Sequence, residues 1–120
     1  AVLGALASLT PEQASRPVAG SSVAAHASHI RFALEASTAW ISGDRGSHDW
    51  SQSWTPSTVD AESWPRLIED LRRAHERIDA AIRDHALTDS IAAGAAVGAA
   101  AHTAYHLGAI RQKIALLRNA

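Results

Sequence analysis

Along most of this chain, apolar and small residues return every third or fourth position, the spacing that lines one face of a helix. Between residues 23 and 41 they are Val23, Ala27, Ile30, Ala33, Leu34, Ser37 and Ile41. From Ser63 onward they are Leu67, Ile68, Leu71, Ala74, Ile78, Ala81 and Ile82. Both stretches predict helices with one buried stripe. Ser21 or Ser22 can N-cap the earlier one, and Gly43 can stop it. Pro65 sits in the first turn of the later one, where its missing N–H costs nothing. A last helix is predicted from an N-cap at Thr88 or Asp89 to Arg118, ~45 Å long at about 1.5 Å per residue. At the start, Val2 to Leu9 reads as a short or truncated helix halted by Thr10-Pro11. Residues 11–21 hold Pro11, Pro17 and Gly20 and read as a loop with room for one helical turn. Residues 43–60 form the longest irregular stretch, a length that in a compact domain is functional or mobile. No segment of useful length alternates with the period of a strand. Three long helices and the end of a fourth predict an all-α chain, a four-helix bundle in one domain over residues 1–120.

Composition narrows the partners. At 120 residues the chain can bury a core without staples, and it contains no cysteine. That agrees with a reducing compartment such as the cytoplasm, although a cysteine-free chain is indifferent to redox state. A net charge of −1 with neutral histidines gives no basic footprint for nucleic acid. The stretch from Ser90 to Ala101 is too short to span a bilayer, so no membrane partner is expected. Abundant alanine and arginine beside a single lysine, Lys113, hint at a GC-rich bacterial genome.

The candidate chemistry lies in seven histidines. His102 and His106 are four residues apart, so their imidazoles share one helix face and can hold one metal ion without bending the backbone. His26 and His29 form a second pair, bordering the apolar stripe of another helix. A histidine inside a helical core needs partners for its ring nitrogens, and a metal, a carboxylate or a carbonyl would each serve. His29 together with His102 and His106 would make a three-histidine site with open positions, as catalytic metals are held. Gly94 and Gly98 extend the stripe of His102 and His106 toward the helix start. Each costs roughly 1 kcal/mol against alanine in a helix, which implies either close approach of a neighbouring helix or space for a ligand. His75 falls on the apolar face of the third helix, in register with Leu71, Ile78 and Ile82, as a residue that supports a ligand from behind or a filler of the core edge. His48, Trp50 and Trp54 in the 43–60 stretch are candidates to border a pocket, as is Tyr105 beside His106. Glu35 could serve as a fourth ligand or base if it turned inward. Asp79 and Arg83 are spaced for an ion pair. No serine-nucleophile elbow, phosphate loop or Glu-x-x-His di-iron pattern is present.

The segment Ser-Ser-Val-Ala-Ala-His-Ala-Ser-His-Ile, followed much later by His-Thr-Ala-Tyr-His-Leu-Gly-Ala-Ile-Arg-Gln, resembles the DinB/YfiT-like superfamily of bacterial four-helix bundles. The later motif is the more specific: His-x-x-x-His, then Gly108, Ile110, Arg111 and Gln112. The resemblance implies that His29, His102 and His106 bind a divalent metal (zinc, nickel, iron or manganese). It gives His26 no such role and leaves it at the helix surface or supporting a ligand from behind. Characterised relatives of that kind are bacillithiol or mycothiol S-transferases and a mycothiol-dependent maleylpyruvate isomerase, and they often dimerise. What the resemblance implies here is therefore a small-molecule substrate, a low-molecular-weight thiol and a homodimer, with catalysis resting on a metal-bound water or thiolate. A non-catalytic metal- or small-molecule-binding stress-response bundle is the alternative. The first helix departs from the family pattern by its shortness, so either residues precede Ala1 or a partner completes the bundle.

Overall fold

In the computed structural model, which describes residues 2–85 and 89–119, the chain runs α1 (Val2–Ala7), α2 (Pro11–Ser15), α3 (Val23–Ile41), α4 (Ser63–Asp84) and α5 (Ser90–Arg118). A short 3-10 turn, Trp50–Gln52, interrupts the connection between α3 and α4. Among the described residues no strand forms, so the all-α expectation holds.

The boundaries follow local chemistry. Thr10 and Gln13 build a reciprocal capping box at α2, the single turn expected within residues 11–21. α1 ends at Ala7 rather than Leu9, because Leu9 turns inward, buried, and bonds back to the carbonyl of Leu6. Ser22 caps α3 by accepting from the Ala25 amide at 3.0 Å. Gly43 ends it with a φ of 99°, a conformation that favours glycine. The start of α4 is held by Asp60, whose carboxylate accepts from the amides of Glu62 and Ser63. Asp89 caps α5, accepting from the Ala92 amide at 2.7 Å; Thr88, the other candidate, lies outside the described residues. The 29 residues of α5 set the long dimension of a 48 × 23 × 23 Å body.

The middle helix in the chain, α3, is the hub. α4 and α5 both pack along it, α2 lies against it, and α1 rests on α4. Every residue from Ser22 to Ile30 is buried, so this end of α3 is covered all round. The core runs through Leu6, Ile30, Leu71 and Ile110, with Trp64 buried beside them and donating its indole N–H to the Leu9 carbonyl at 3.2 Å. Between α4 and α5 a groove of about 340 Å³ is lined by Leu34, His75, Ile78 and Leu107. On the outer face of α4, Glu69, Arg72, Arg73 and Glu76 form an exposed ion-pair chain, and Asp70 reaches Arg31 on α3. The expected Asp79–Arg83 pair does not form; both side chains lie where water solvates them as well as a partner would.

Lys113, the single lysine, is buried, with 4 % of its surface exposed. Its ammonium donates to the carbonyls of Val18, Ala19 and Ser21, tying α5 to the turn that precedes α3. Ala19 there adopts a φ of 51°, a strained value for a residue with a side chain. Lys113→Met would keep the apolar stem and remove the donor. Urea unfolding should then show a loss of about 1–3 kcal/mol, the usual cost of stranding partly buried acceptors.

Candidate metal centre

Three imidazoles converge where the buried end of α3 faces the middle of α5. His29 Nε2 lies 3.0 Å from His102 Nε2, which lies 3.1 Å from His106 Nε2. Their ligating atoms all fall within 4.8 Å of one another. α5 contributes two of them because residues 102 and 106 sit one turn apart on the same face. α3 contributes the third from a position 8 % exposed. A divalent ion with bonds of about 2.0–2.1 Å in tetrahedral geometry separates its nitrogens by about 3.3 Å, so small ring movements would accommodate one. The donor set fits the group. Three facing Nε2 lone pairs repel one another, and a cation between them removes that repulsion. The described residues thus include a buried His29–His102–His106 cluster that could hold a metal ion.

The outer nitrogens are committed in a way that favours this arrangement. His29 Nδ1 sits 2.9 Å from Ser53 Oγ. His106 Nδ1 sits 2.9 Å from Nδ1 of His26, whose Nε2 lies 3.1 Å from Ser21 Oγ. If His106 Nε2 is to face a cation, its Nδ1 carries the proton and donates to His26. His26 must then hold its own proton on Nε2 and donate to Ser21. The tautomers along Ser21–His26–His106 are fixed by this single requirement. Only His102 Nδ1 is buried without a partner among the ligands.

His26 is therefore not a helix-surface residue: it is 6 % exposed and supports a ligand of the cluster. Partners of this kind orient a ligand ring and raise its basicity, and losing one typically costs about 10–100-fold in metal affinity. His26→Ala should weaken zinc binding by that amount in competition with a chromophoric chelator. His26→Gln, whose amide oxygen can still accept from His106, should recover part of it.

Burial keeps these rings neutral. It is the main cause pushing His106 down to about 4, helped by His102, His29 and His26. His26 is also pushed down to about 4, by burial first, then by Lys113 and His29. Burial lowers His29 as well, with a contribution from His102, and it lowers His102. Neutral imidazole is the form that binds metal.

The 43–60 connection is strapped down across the site. Ser22 Oγ donates to the Ser57 carbonyl at 2.6 Å and Ser28 Oγ to the Pro56 carbonyl at 2.7 Å. The Val59 amide donates to Ser15 on α2. These bonds lay Trp54 flat on His29, ring centroids 3.9 Å apart and planes within 5°. Trp50 meets the edge of Phe32 at 5.0 Å and stands 6.2 Å from His29. His48 packs edge-on against Trp40 and Phe32, away from the cluster, with its Nε2 buried and unpartnered. His75 lines the groove between α4 and α5 and makes no hydrogen bond to His29, His102 or His106. Tyr105 is 73 % exposed; its successor in sequence points inward, so Tyr105 points out, touching His106 only edge-on. Glu35 is exposed and stands outside the His29–His102–His106 group. Ser53, which holds Nδ1 of His29, carries no periodic or motif signal in the sequence, and Ser21, which holds Nε2 of His26, is signalled there only as a cap candidate.

No family model, no curated protein and no solved structure matches the chain. Among the described residues no helix is long and apolar enough to cross a membrane.

Proposed function

We propose that the chain is a divalent-metal-binding four-helix bundle of the DinB/YfiT-like kind, acting as a metal-dependent transferase of a low-molecular-weight thiol to a small electrophile. The observation that carries this reading is the convergence of three Nε2 atoms whose outer nitrogens are held by Ser53 and His26. His29, His102 and His106 would hold zinc, nickel, iron or manganese. Bound there, the metal would lower the pKa of a coordinated thiol or water and leave positions open for it. The protein's own contribution is to keep the three rings neutral, to orient them through Ser53, His26 and Ser21, and to shield one side with Trp54. The grooved flank suits a homodimer, and a bacterial cytoplasm is the setting in which mycothiol or bacillithiol would be at hand.

The centre is surrounded by histidine, serine and tryptophan, and no carboxylate joins the cluster among the described residues. That favours, as the second reading, a metal-binding stress-response bundle without turnover. The two separate in one assay. Chlorodinitrobenzene is mixed with mycothiol or bacillithiol, with the protein loaded in turn with each of the four metals. Metal-dependent release of chloride, lost in His102→Ala, is the result expected of the transferase. One equivalent of bound metal with no turnover by any thiol would leave the binding bundle.

A further inference from the structure

Beside His102 the surface opens into a cavity of about 450 Å³, between the second half of α3 and the first half of α5. Trp40 and Trp50 form one wall, Ile91 the outer rim, and Gly94 and Gly98 the α5 side. The size is that of a small-molecule pocket. Resting on the metal reading above, we propose that this cavity seats the body of the substrate, a neutral and largely apolar molecule with a planar or aromatic part, whose reacting end lies at His102.

Independent observations meet here. A Cβ built on Gly94 or Gly98 meets nothing within 4 Å. The glycines therefore do not serve close helix packing, and what they leave in a helix interior is room beside the cluster. Trp50 and Ile91 are large, apolar and 40 % and 55 % exposed, on the same concave rim, where a ligand would cover them. Among the described residues no carboxylate, lysine or arginine lines the cavity; its polar groups are the Ser37 hydroxyl, the His102 imidazole and the tryptophan indole N–H groups. An ionic ligand would find no counter-charge and would lose its water. The two tryptophan rings, 6.3 Å apart and inclined at 33°, offer faces to a flat one. His102 joins the cavity to the metal cluster, belonging to both.

The test uses N-phenylnaphthylamine, a neutral fluorophore that brightens in apolar surroundings. The protein should bind it, and bind its sulfonated analogue, anilinonaphthalene sulfonate, more weakly. Gly98→Leu fills the cavity with a residue that favours helix, so the variant should fold and keep its metal. It should weaken the neutral probe by about tenfold or more. With cobalt in place of zinc, the probe's ring protons should broaden in NMR spectra, because the pocket adjoins the cluster. Unchanged affinity in Gly98→Leu, or a preference for the sulfonate, would overturn the assignment. So would a changed sedimentation coefficient with probe binding intact, which would make this face a contact between two copies of the chain. Failure of the wild-type chain to take up cobalt would sink the metal reading, and with it the substrate role, while the fluorescence comparison would still decide the pocket.

Discussion

His102→Ala should empty the metal centre. Its Nε2 is the one atom within 3.1 Å of both other ligands, so its loss leaves His29 and His106 facing a gap. Four-ligand zinc sites bind with about 10–16 kcal/mol, so each ligand accounts for roughly 3 kcal/mol, or more than a hundredfold in affinity. Elemental analysis of untagged protein should find about one equivalent of a divalent metal, and almost none in the variant. Thermal unfolding adds a second readout. Saturating zinc should raise the melting temperature of the wild type, since a ligand that binds only the folded chain stabilises it by mass action. The same zinc should leave the variant where it was. Because His102 is only partly buried and its Nδ1 has no partner, the metal-free variant should be as stable as the metal-free parent. Equal metal content in both proteins would remove the three-histidine assignment.

Acid should unfold the metal-free protein through its own histidines. His26 and His106 are held at about 4, well below the ordinary 6.5, chiefly by burial. In the unfolded chain they protonate near 6.5; in the folded chain they resist until near 4. Between those values the unfolded state binds more protons, so stability is full above about pH 6.5 and falls as the pH drops toward 4. Each histidine that must protonate contributes a slope of about 1.4 kcal/mol per pH unit. Urea midpoints measured from pH 7 to pH 4.5 should follow that decline, and His26→Gln should make it shallower. Bound metal should steepen it, because protons then compete with the ion as well. A midpoint that stays flat across the range would show that these rings are solvated rather than buried.

Much of the fold was legible because its signals are local. The caps at Ser22 and Asp89, the stop at Gly43 and Pro65 in the first turn of α4 each act within a few residues. The His102/His106 pair was legible for the same reason: one turn of helix fixes their relation. What stayed hidden depends on residues distant in the chain. That α3 is the hub does not show in its stripe, since its first two turns are buried on every side and carry serine and histidine as well as alanine. His26 could be read either as a surface residue or as a support for a ligand, and the partner that decides for support lies 80 residues away. Ser53 and Ser28 act by single hydrogen bonds across the fold and Lys113 by three, and such bonds have no period to read. The two readings of Gly94 and Gly98 could be separated only by seeing what stands opposite them.

The cluster also alters how the chain would yield to force. His29 and His102 are 73 residues apart, and the whole of α4 lies between them. An ion shared by the two would act as a rivet closing that length into a ring. Drawn out by its ends in an optical trap, the loaded protein would pay out its tails first and keep back roughly 250 Å of extended chain. That hidden length would be released only when the rivet gave way, so the position of the last step in the trace would report which residues the ion joins.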